Sequence, residues 1–310
     1  MRQVFLTFDT EDFISENSIS SLRSLLLCLR KHSFKAIFFV TGHMAEKLKG
    51  QNETIRLLEE HEIGYHSSSH SVHPTIFEFT DVENYEEAYK NALLRETSHI
   101  NPLNGRIEGP GGIFSVRSLC SDREIRAYRA PGFCWSPPHS EALRDLGLRF
   151  DFSSKIAPIP IFYKGLTFYP YPTLLEWQGR PQEYRTFLSS ALRRKFTVMG
   201  LHPSLFVNQD DWDAIYKKGN PDQIPPPHPR TSSEFKSRMQ SLNLFLEQAR
   251  RVERTGLIKV TSDLKNADAN LTVSRKQVED IFEFSMRWPR RVFKYEPRYL
   301  RNHFLKFFAM

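Results

Sequence analysis

Cysteine is scarce in this chain of 310 residues: Cys28, Cys120 and Cys134 are the three, an odd number with no Cys-x-x-Cys spacing. That argues against a disulfide framework and a cysteine zinc site, and it fits a reducing compartment. Long apolar runs are missing too, and none approaches the roughly 20 residues needed to span a bilayer. The N-terminus shows no targeting signal. Met1-Arg2 leads straight into Gln3-Val4-Phe5-Leu6-Thr7-Phe8, too short for a signal core, and a polar acidic segment follows. Internal repeats and low-complexity segments are absent, which excludes a repeat architecture. The expectation is a cytoplasmic protein without a membrane span.

What is present suffices for a sizeable core: 40% of residues are hydrophobic and 13% aromatic. The length suits one large domain, and a single α/β barrel falls in this range. The net charge of +7 and the pI near 9.2 fit an anionic substrate or surface, and equally a solvated exterior.

The pattern along the chain is one of strands alternating with helices. Val4-Phe5-Leu6-Thr7-Phe8 reads as a buried strand, followed by a helix through Ile19, Leu22, Leu25, Leu26 and Leu29. Ala36–Val40 is a second strand. A helical stretch from Met44 to about Glu60, broken at Gly50, leads to a third strand at Glu62–Tyr65. This order is the signature of parallel β/α units. A helix is expected from Val82 to about Thr97. Asn101–Arg123, rich in glycine and proline, reads as a long loop or insertion at a substrate rim. Further strands follow at Ile125–Tyr128, Leu148–Phe152, Thr173–Trp177, Phe196–Leu201 and Leu257–Thr261, with helices at Ser140–Gly147 and from about Ser233 to Arg254. Val207–Arg230, with Pro225-Pro226-Pro227, reads as a long surface loop. Residues 281–310 are rich in Phe, Trp, Tyr, Arg and Lys, and are open to two readings: a helix capping the domain or an amphipathic segment on a membrane face.

Chemistry-bearing residues gather where predicted strands end. The first strand runs into Asp9-Thr10-Glu11-Asp12, a density of negative charge that is costly at a buried strand tip unless a cation or donors sit there. The third delivers His66-Ser67-Ser68-Ser69-His70. By itself that pair could be two surface histidines on one helical turn; after a strand tip the two imidazoles can meet one metal ion. Other strand ends deliver Arg129, Asp151 and His202. In barrels of parallel strands that rim is where active sites are built.

A division of labour follows. His66, His70 and one acidic group supply ligands and leave positions open. A bound water then acidifies toward neutral pH. Asp9 takes its proton as general base, and Arg129 keeps Asp9 ionised. His202 donates a proton to a leaving amine, with Asp151 holding its tautomer. Such a set hydrolyses an amide or ester. Cys134 reads as a small buried residue rather than a nucleophile. Ser67, Ser68, Ser69 and His73 carry no assigned role.

Thr7-Phe8-Asp9-Thr10-Glu11-Asp12, His66-Ser67-Ser68-Ser69-His70, Arg129-Ala130-Pro131-Gly132-Phe133 and Leu201-His202-Pro203 resemble, in order, successive motifs of the polysaccharide deacetylase family, carbohydrate esterase family 4. The resemblance covers about residues 3–262. It implies a distorted (β/α) barrel of about seven parallel strands at residues 1–265, with residues 266–310 as a C-terminal helical extension packed on it. It also implies a divalent metal, with zinc preferred over Co, Ni, Mn or Fe, and removal of an N-acetyl group from an amino sugar. By this resemblance Asp9 matches the catalytic base, His66 and His70 the metal ligands, Arg129 the residue tuning the base, and His202 the acid. The family's first motif has two adjacent aspartates, whereas Thr10 follows Asp9 here. The metal carboxylate is then Asp12 or Glu11, with Asp12 preferred. Asp151 stands in for the fourth motif. Gly132 occupies a place where many members carry an aromatic residue, so Phe133 or Trp135, beside Pro131, takes over substrate stacking.

The expected substrate is an N-acetylated sugar, nucleotide sugar or lipid-linked sugar of cell-envelope biosynthesis. Nucleic acid is not an expected partner, and membrane contact, if any, is expected through residues 281–310. The rival readings are a hydrolase of a small amide or formamide on the same fold, and a non-catalytic scaffold in a membrane biosynthetic complex.

Overall fold

The computed structural model describes residues 1–70, 82–100, 106–120, 123–155, 157–175, 181–210, 227–267, 274–293 and 306–308. In chain order the elements are β1 (Arg2–Thr10), α1 (Ser18–Lys31), β2 (Ile37–Val40), α2 (Gly42–Leu48), α3 (Asn52–Leu58), β3 (Glu62–Tyr65), α4 (Tyr85–Thr97), β4 (Ser98–Ile100), β5 (Ile107–Pro110), α5 (Gly112–Ser118) and β6 (Ala127–Tyr128). There follow a 3₁₀ turn at Pro131–Phe133, α6 (Pro137–Asp145), β7 (Phe150–Asp151), β8 (Ile161–Tyr163), β9 (Leu166–Phe168), β10 (Thr173–Leu174), α7 (Pro181–Ala191), β11 (Phe196–Leu201), α8 (Ser204–Val207), α9 (Ser232–Arg254), β12 (Ile258–Val260) and α10 (Arg275–Phe293).

Among the described residues ten strands form one curled sheet in the order β10-β11-β1-β2-β3-β6-β7-β9-β8, with β12 also paired to β1. Every pairing is parallel except the antiparallel β8–β9 hairpin. This is the expected α/β architecture, with the strand count raised by short strands in the second half. The small β4–β5 ladder stands apart from it. The span Asn101–Arg123 is thus not a plain loop: residues 106–120 hold a strand and a helix. Residues 71–81, including His73, and 211–226 of the proline-rich stretch lie outside the described residues.

Alternation along β1 decides which side chains enter the barrel. Phe5 packs inside with Ile37, Phe39, Ala127, Phe150, Phe152, Tyr169 and Val198. Val4, Leu6 and Phe8 join the larger cluster between sheet and helices. Successive strand side chains point to opposite faces, so Thr7, Asp9 and the following Glu11 share the inner face with Phe5. The same parity carries Gly64 to His66, Ala127 to Arg129, and Val198 to His202. Register then brings these strand ends level: Thr10 pairs Val40, Val40 pairs Tyr65, Tyr65 pairs Tyr128 and Tyr128 pairs Asp151.

Helices close the outer layer. The Thr41 side chain caps α2 at the Met44 N–H, and Thr231 with Glu234 forms a capping box on α9. On α10, Val278, Ile281, Phe282, Ser285 and Met286 are buried at helical spacing, and Cys134 Sγ donates to the Ser285 carbonyl at 3.1 Å. From Val278 to Met286 the apolar face of α10 is therefore covered by protein. No helix among the described residues is long and apolar enough to cross a membrane.

Two helix starts meet at Gly42 and Gly112. A Cβ on Gly42 would stand 2.4 Å from the Gly112 Cα and 3.1 Å from the Ser68 carbonyl oxygen. Both are backbone atoms that cannot step aside. Gly42→Ala is expected to cost about 1–3 kcal/mol, as overpacking does, read as a lower denaturant midpoint. An unchanged midpoint contradicts the close approach.

Candidate active site

Glu11, His66 and His70 offer one ligand atom each, all within 4.8 Å of one another. Glu11 Oε2 lies 3.2 Å from His66 Nε2 and 3.4 Å from His70 Nε2. All three are buried, and Glu11 Oε1 has no hydrogen-bond partner in the protein. An orphaned carboxylate oxygen between inward-turned imidazoles is the environment a divalent cation resolves. His66 Nδ1 donates to the Arg129 carbonyl at 2.7 Å, which turns Nε2 toward Glu11 as the nitrogen for a ligand bond. Burial, then the neighbouring His66 and His202, push His70 well below the usual imidazole range, so it is neutral as ligation requires.

Asp9 stands beside this triplet. Arg129 Nη1 donates to Asp9 Oδ1 at 2.6 Å, and Nη2 donates to the Thr7 hydroxyl at 2.7 Å. The Arg129 guanidinium stacks 4.3 Å from the Phe39 ring centroid, within the apolar lining. Burial alone would raise Asp9; Arg129, His66 and His202 outweigh it and hold its carboxyl below the usual range. For Glu11 the balance falls the other way, and burial with the nearby Asp9 charge lifts it despite His202 and His66. His202 Nε2 lies 3.6 Å from Asp9 Oδ2 and 3.5 Å from Glu11 Oε1. With 15% of its side chain exposed, against 3% for Asp9, it is the solvent-facing member of the pair.

Three expectations are corrected here. Asp12, preferred from the motif as the metal carboxylate, has the opposite parity from Glu11 and turns away. Its Oδ1 accepts the Ile14 and Ser15 N–H groups at 3.2 and 2.9 Å, and its Oδ2 accepts from Asn208 Nδ2 at 2.9 Å. Asp12 closes a turn; Glu11 joins the imidazoles. Asp151 does not hold His202. It alternates with the inward Phe150 and Phe152, its Oδ1 accepts the Ser153 N–H at 2.6 Å, and its Oδ2 has no hydrogen-bond partner. Burial raises it to about 7, with Ser153 and Arg129 opposing. Trp135 is no stacking platform: it is buried against Phe168, with ring centroids 4.8 Å apart, and against Tyr163 and Phe308.

Pro131, Gly132 and Phe133 form the 3₁₀ turn after Arg129. Gly132 and Phe133 are both left-handed, at φ 57 and 59, a conformation glycine tolerates and phenylalanine rarely adopts. The Phe133 ring lies 6.0 Å from the Arg129 guanidinium carbon and 4.7 Å from the Tyr171 ring. Phe133 is thus the aromatic of this motif that stays near Asp9, with Tyr171 as its neighbour. The sequence reading left Thr7, Tyr171 and Asn208 without a role. Thr7 was reachable by parity, two residues before Asp9; Tyr171 and Asn208 come from distant segments with no local signal.

Residues 1–109 match the family model described as polysaccharide deacetylase. That span carries the Asp9–Glu11 strand and the imidazole pair, so the family resemblance read from the motifs is borne out there. An uncharacterised 30.6 kDa protein of Geobacillus stearothermophilus is 32% identical over 125 residues, 38% of this chain and 41% of the relative. The chain thus matches about two fifths of that curated relative's length. Among solved structures, one from Mycobacterium smegmatis described as a candidate polysaccharide deacetylase is similar at TM-score 0.50 and 16% identity, covering 86% of this chain and 94% of that one. A 4-alpha-glucanotransferase from Thermococcus litoralis reaches TM-score 0.50 at 10% identity, over 84% of this chain and 39% of that one. At such identities the likeness shows a shared barrel fold alone.

A further buried carboxylate, Glu96 at the end of α4, is opposed by burial but held at about 2 by Arg95, His139 and the Tyr65 hydroxyl. Its folded value lies below the ordinary 4.5. The stability it adds is therefore complete above about pH 4.5 and lost as pH falls toward 2. Unfolding free energy is expected to fall by a few kcal/mol across that window, and Glu96→Gln should flatten that slope in acid titrations of the denaturant midpoint. An equally steep slope in the variant contradicts the assignment.

Proposed function

We propose that this protein is a metal-dependent deacetylase that hydrolyses an N-acetyl group on an amino sugar. One observation carries the reading. A buried, ionised Asp9 and a solvent-facing His202 converge on the Glu11–His66–His70 triplet, with Asp9 Oδ2 3.6 Å from His202 Nε2 and His202 3.5 Å from Glu11. The polysaccharide deacetylase match over residues 1–109 points the same way.

In this reading Glu11, His66 and His70 hold a divalent cation, with zinc the first candidate from an N,N,O ligand set. When bound, such a cation supplies Lewis acidity, polarising an acyl carbonyl and lowering the pKa of water. The chain's own groups do the rest. Asp9, kept anionic by Arg129, accepts a proton from water as its oxygen adds to the acetyl carbon. His202 gives a proton to the amine nitrogen as the C–N bond breaks, releasing acetate and a free amino sugar. Thr7 and Phe39 hold the guanidinium that donates to Asp9. Phe133, with Tyr171 beside it, offers the sugar an apolar ring face.

The same reading takes residues 1–265 as the catalytic barrel and 266–310 as an extension that caps it, on the buried face of α10 and the Trp135–Phe308 contact of 5.6 Å. The basic balance favours a phosphate-bearing substrate such as a nucleotide sugar or lipid-linked sugar of envelope biosynthesis, and three cysteines that form no disulfide suit the cytoplasm.

Acetate release from N-acetylglucosamine oligomers, a nucleotide-linked N-acetyl sugar and a lipid-linked one is the direct assay. Asp9→Asn and His202→Ala are each expected to lower kcat by about 100-fold or more, with the fold intact by circular dichroism. Glu11→Ala is expected to abolish metal-dependent turnover, and Asp12→Ala to lower stability more than metal affinity. Chelator-stripped protein that hydrolyses at the full rate would sink the proposal.

A further inference from the structure

The serines of the imidazole motif find their partners on the outer side of the loop. Ser67 stands at φ 62, a backbone conformation that L side chains rarely adopt. Three contacts on the loop come from neighbouring helix starts. The Ser67 carbonyl accepts from the Gly42 N–H and the Ser68 carbonyl from the His43 N–H, both at 3.0 Å. The Ser68 hydroxyl accepts from the Gly112 N–H at 2.8 Å. The fourth comes from a charge. The Ser67 hydroxyl donates to both Glu96 oxygens, at 3.3 and 3.2 Å.

Glu96 is completely buried, and a further contact reaches the residue on the far side of His66. The Tyr65 hydroxyl donates to Glu96 Oε2 at 2.6 Å. His139 Nε2 donates to Oε1 at 3.0 Å, and Arg95 Nη1 lies 3.6 Å from the same oxygen. One carboxylate therefore grips Tyr65 and Ser67, the two residues that flank His66 in the chain. A buried carboxylate with every near neighbour a donor is a rigid anchor, because each donor loses its partner if the group moves. Nothing in the hydrolytic chemistry uses it.

We propose that Glu96 is a positioning residue for the cation site: through Tyr65 and Ser67 it holds the left-handed turn that aims His66 and His70 at Glu11. This rests on the reading of that triplet as a cation site. Outer partners of ligating side chains act in this way by fixing ligand direction, and their loss weakens metal binding by about 10–100-fold. Here the anchor works one step further out, on the backbone that carries the ligand. It comes from α4, some thirty residues along the chain.

The test is Co(II) binding to the full chain, read as dissociation constant by chelator competition and as the visible absorption band of the bound ion. The wild type is expected to bind one Co(II) per chain. Ser67→Ala and Glu96→Gln are expected to bind at least about tenfold more weakly, with a shifted band. Leu242→Ala, a core truncation on α9, serves as the control. It should lower the denaturant midpoint yet keep wild-type affinity and band, because lost stability alone does not turn an imidazole. Should Glu96→Gln fail to fold, Ser67→Ala, which removes one hydroxyl, decides alone. Wild-type affinity and band in Ser67→Ala, or equal weakening in Leu242→Ala, overturns the assignment. Wild-type protein that binds no Co(II) overturns the cation site itself, and the role of Glu96 with it.

Discussion

A guanidinium and a carboxylate meet at 2.6 Å inside an apolar barrel, and the charge balance of the candidate site depends on that contact. Arg129 and Asp9 are both withdrawn from water, which makes the pair expensive to form and more expensive to break. Without Arg129 the barrel would hold Asp9 and Glu11 two residues apart on one face, each raising the other's proton affinity. With it, one carboxylate stays anionic while the other faces two imidazoles. The difference between them arises from placement, since burial acts on both and only Asp9 receives a hydrogen bond from Arg129.

The barrel makes that placement possible by two simple regularities. Strand parity sends alternate residues inward, so a run such as Phe5, Thr7, Asp9 and Glu11 passes from apolar lining to polar site without a change of conformation. Parallel pairing brings all the inward strand ends to one rim, and the register row from Thr10 through Tyr128 to Asp151 keeps them level. The helical layer outside then supplies anchors. Gly42 and Gly112 admit two helix starts against the imidazole loop, and α4 brings Glu96 beneath it.

Much of this was legible in the chain. The alternation of strands and helices, the buried runs at β1, β2 and β11, the break at Gly50 and the long α9 all follow from periodicity and capping. Groups at strand ends such as His66, Arg129 and His202 converge because parallel β/α units leave no other rim for them. The short strands β8 and β9 and the helix in 112–118 were less legible, being too brief to carry a period. Asp12 and Trp135 were misread for one reason. Proximity in sequence to the motif suggested proximity in space, while parity in one case and a left-handed turn in the other sent the side chain elsewhere.

The sequence by itself determined which groups gather: imidazoles, carboxylates and a guanidinium placed after apolar runs are brought to one rim by parallel strands. Only the tertiary structure decided which carboxylate joins the imidazoles, which aromatic stays near Asp9, and that Glu96 braces the loop. Those outcomes turn on side-chain direction and on contacts between segments far apart in the chain. Local residue pattern encodes neither, because a one-residue change of parity reverses the first and only the closed barrel creates the second.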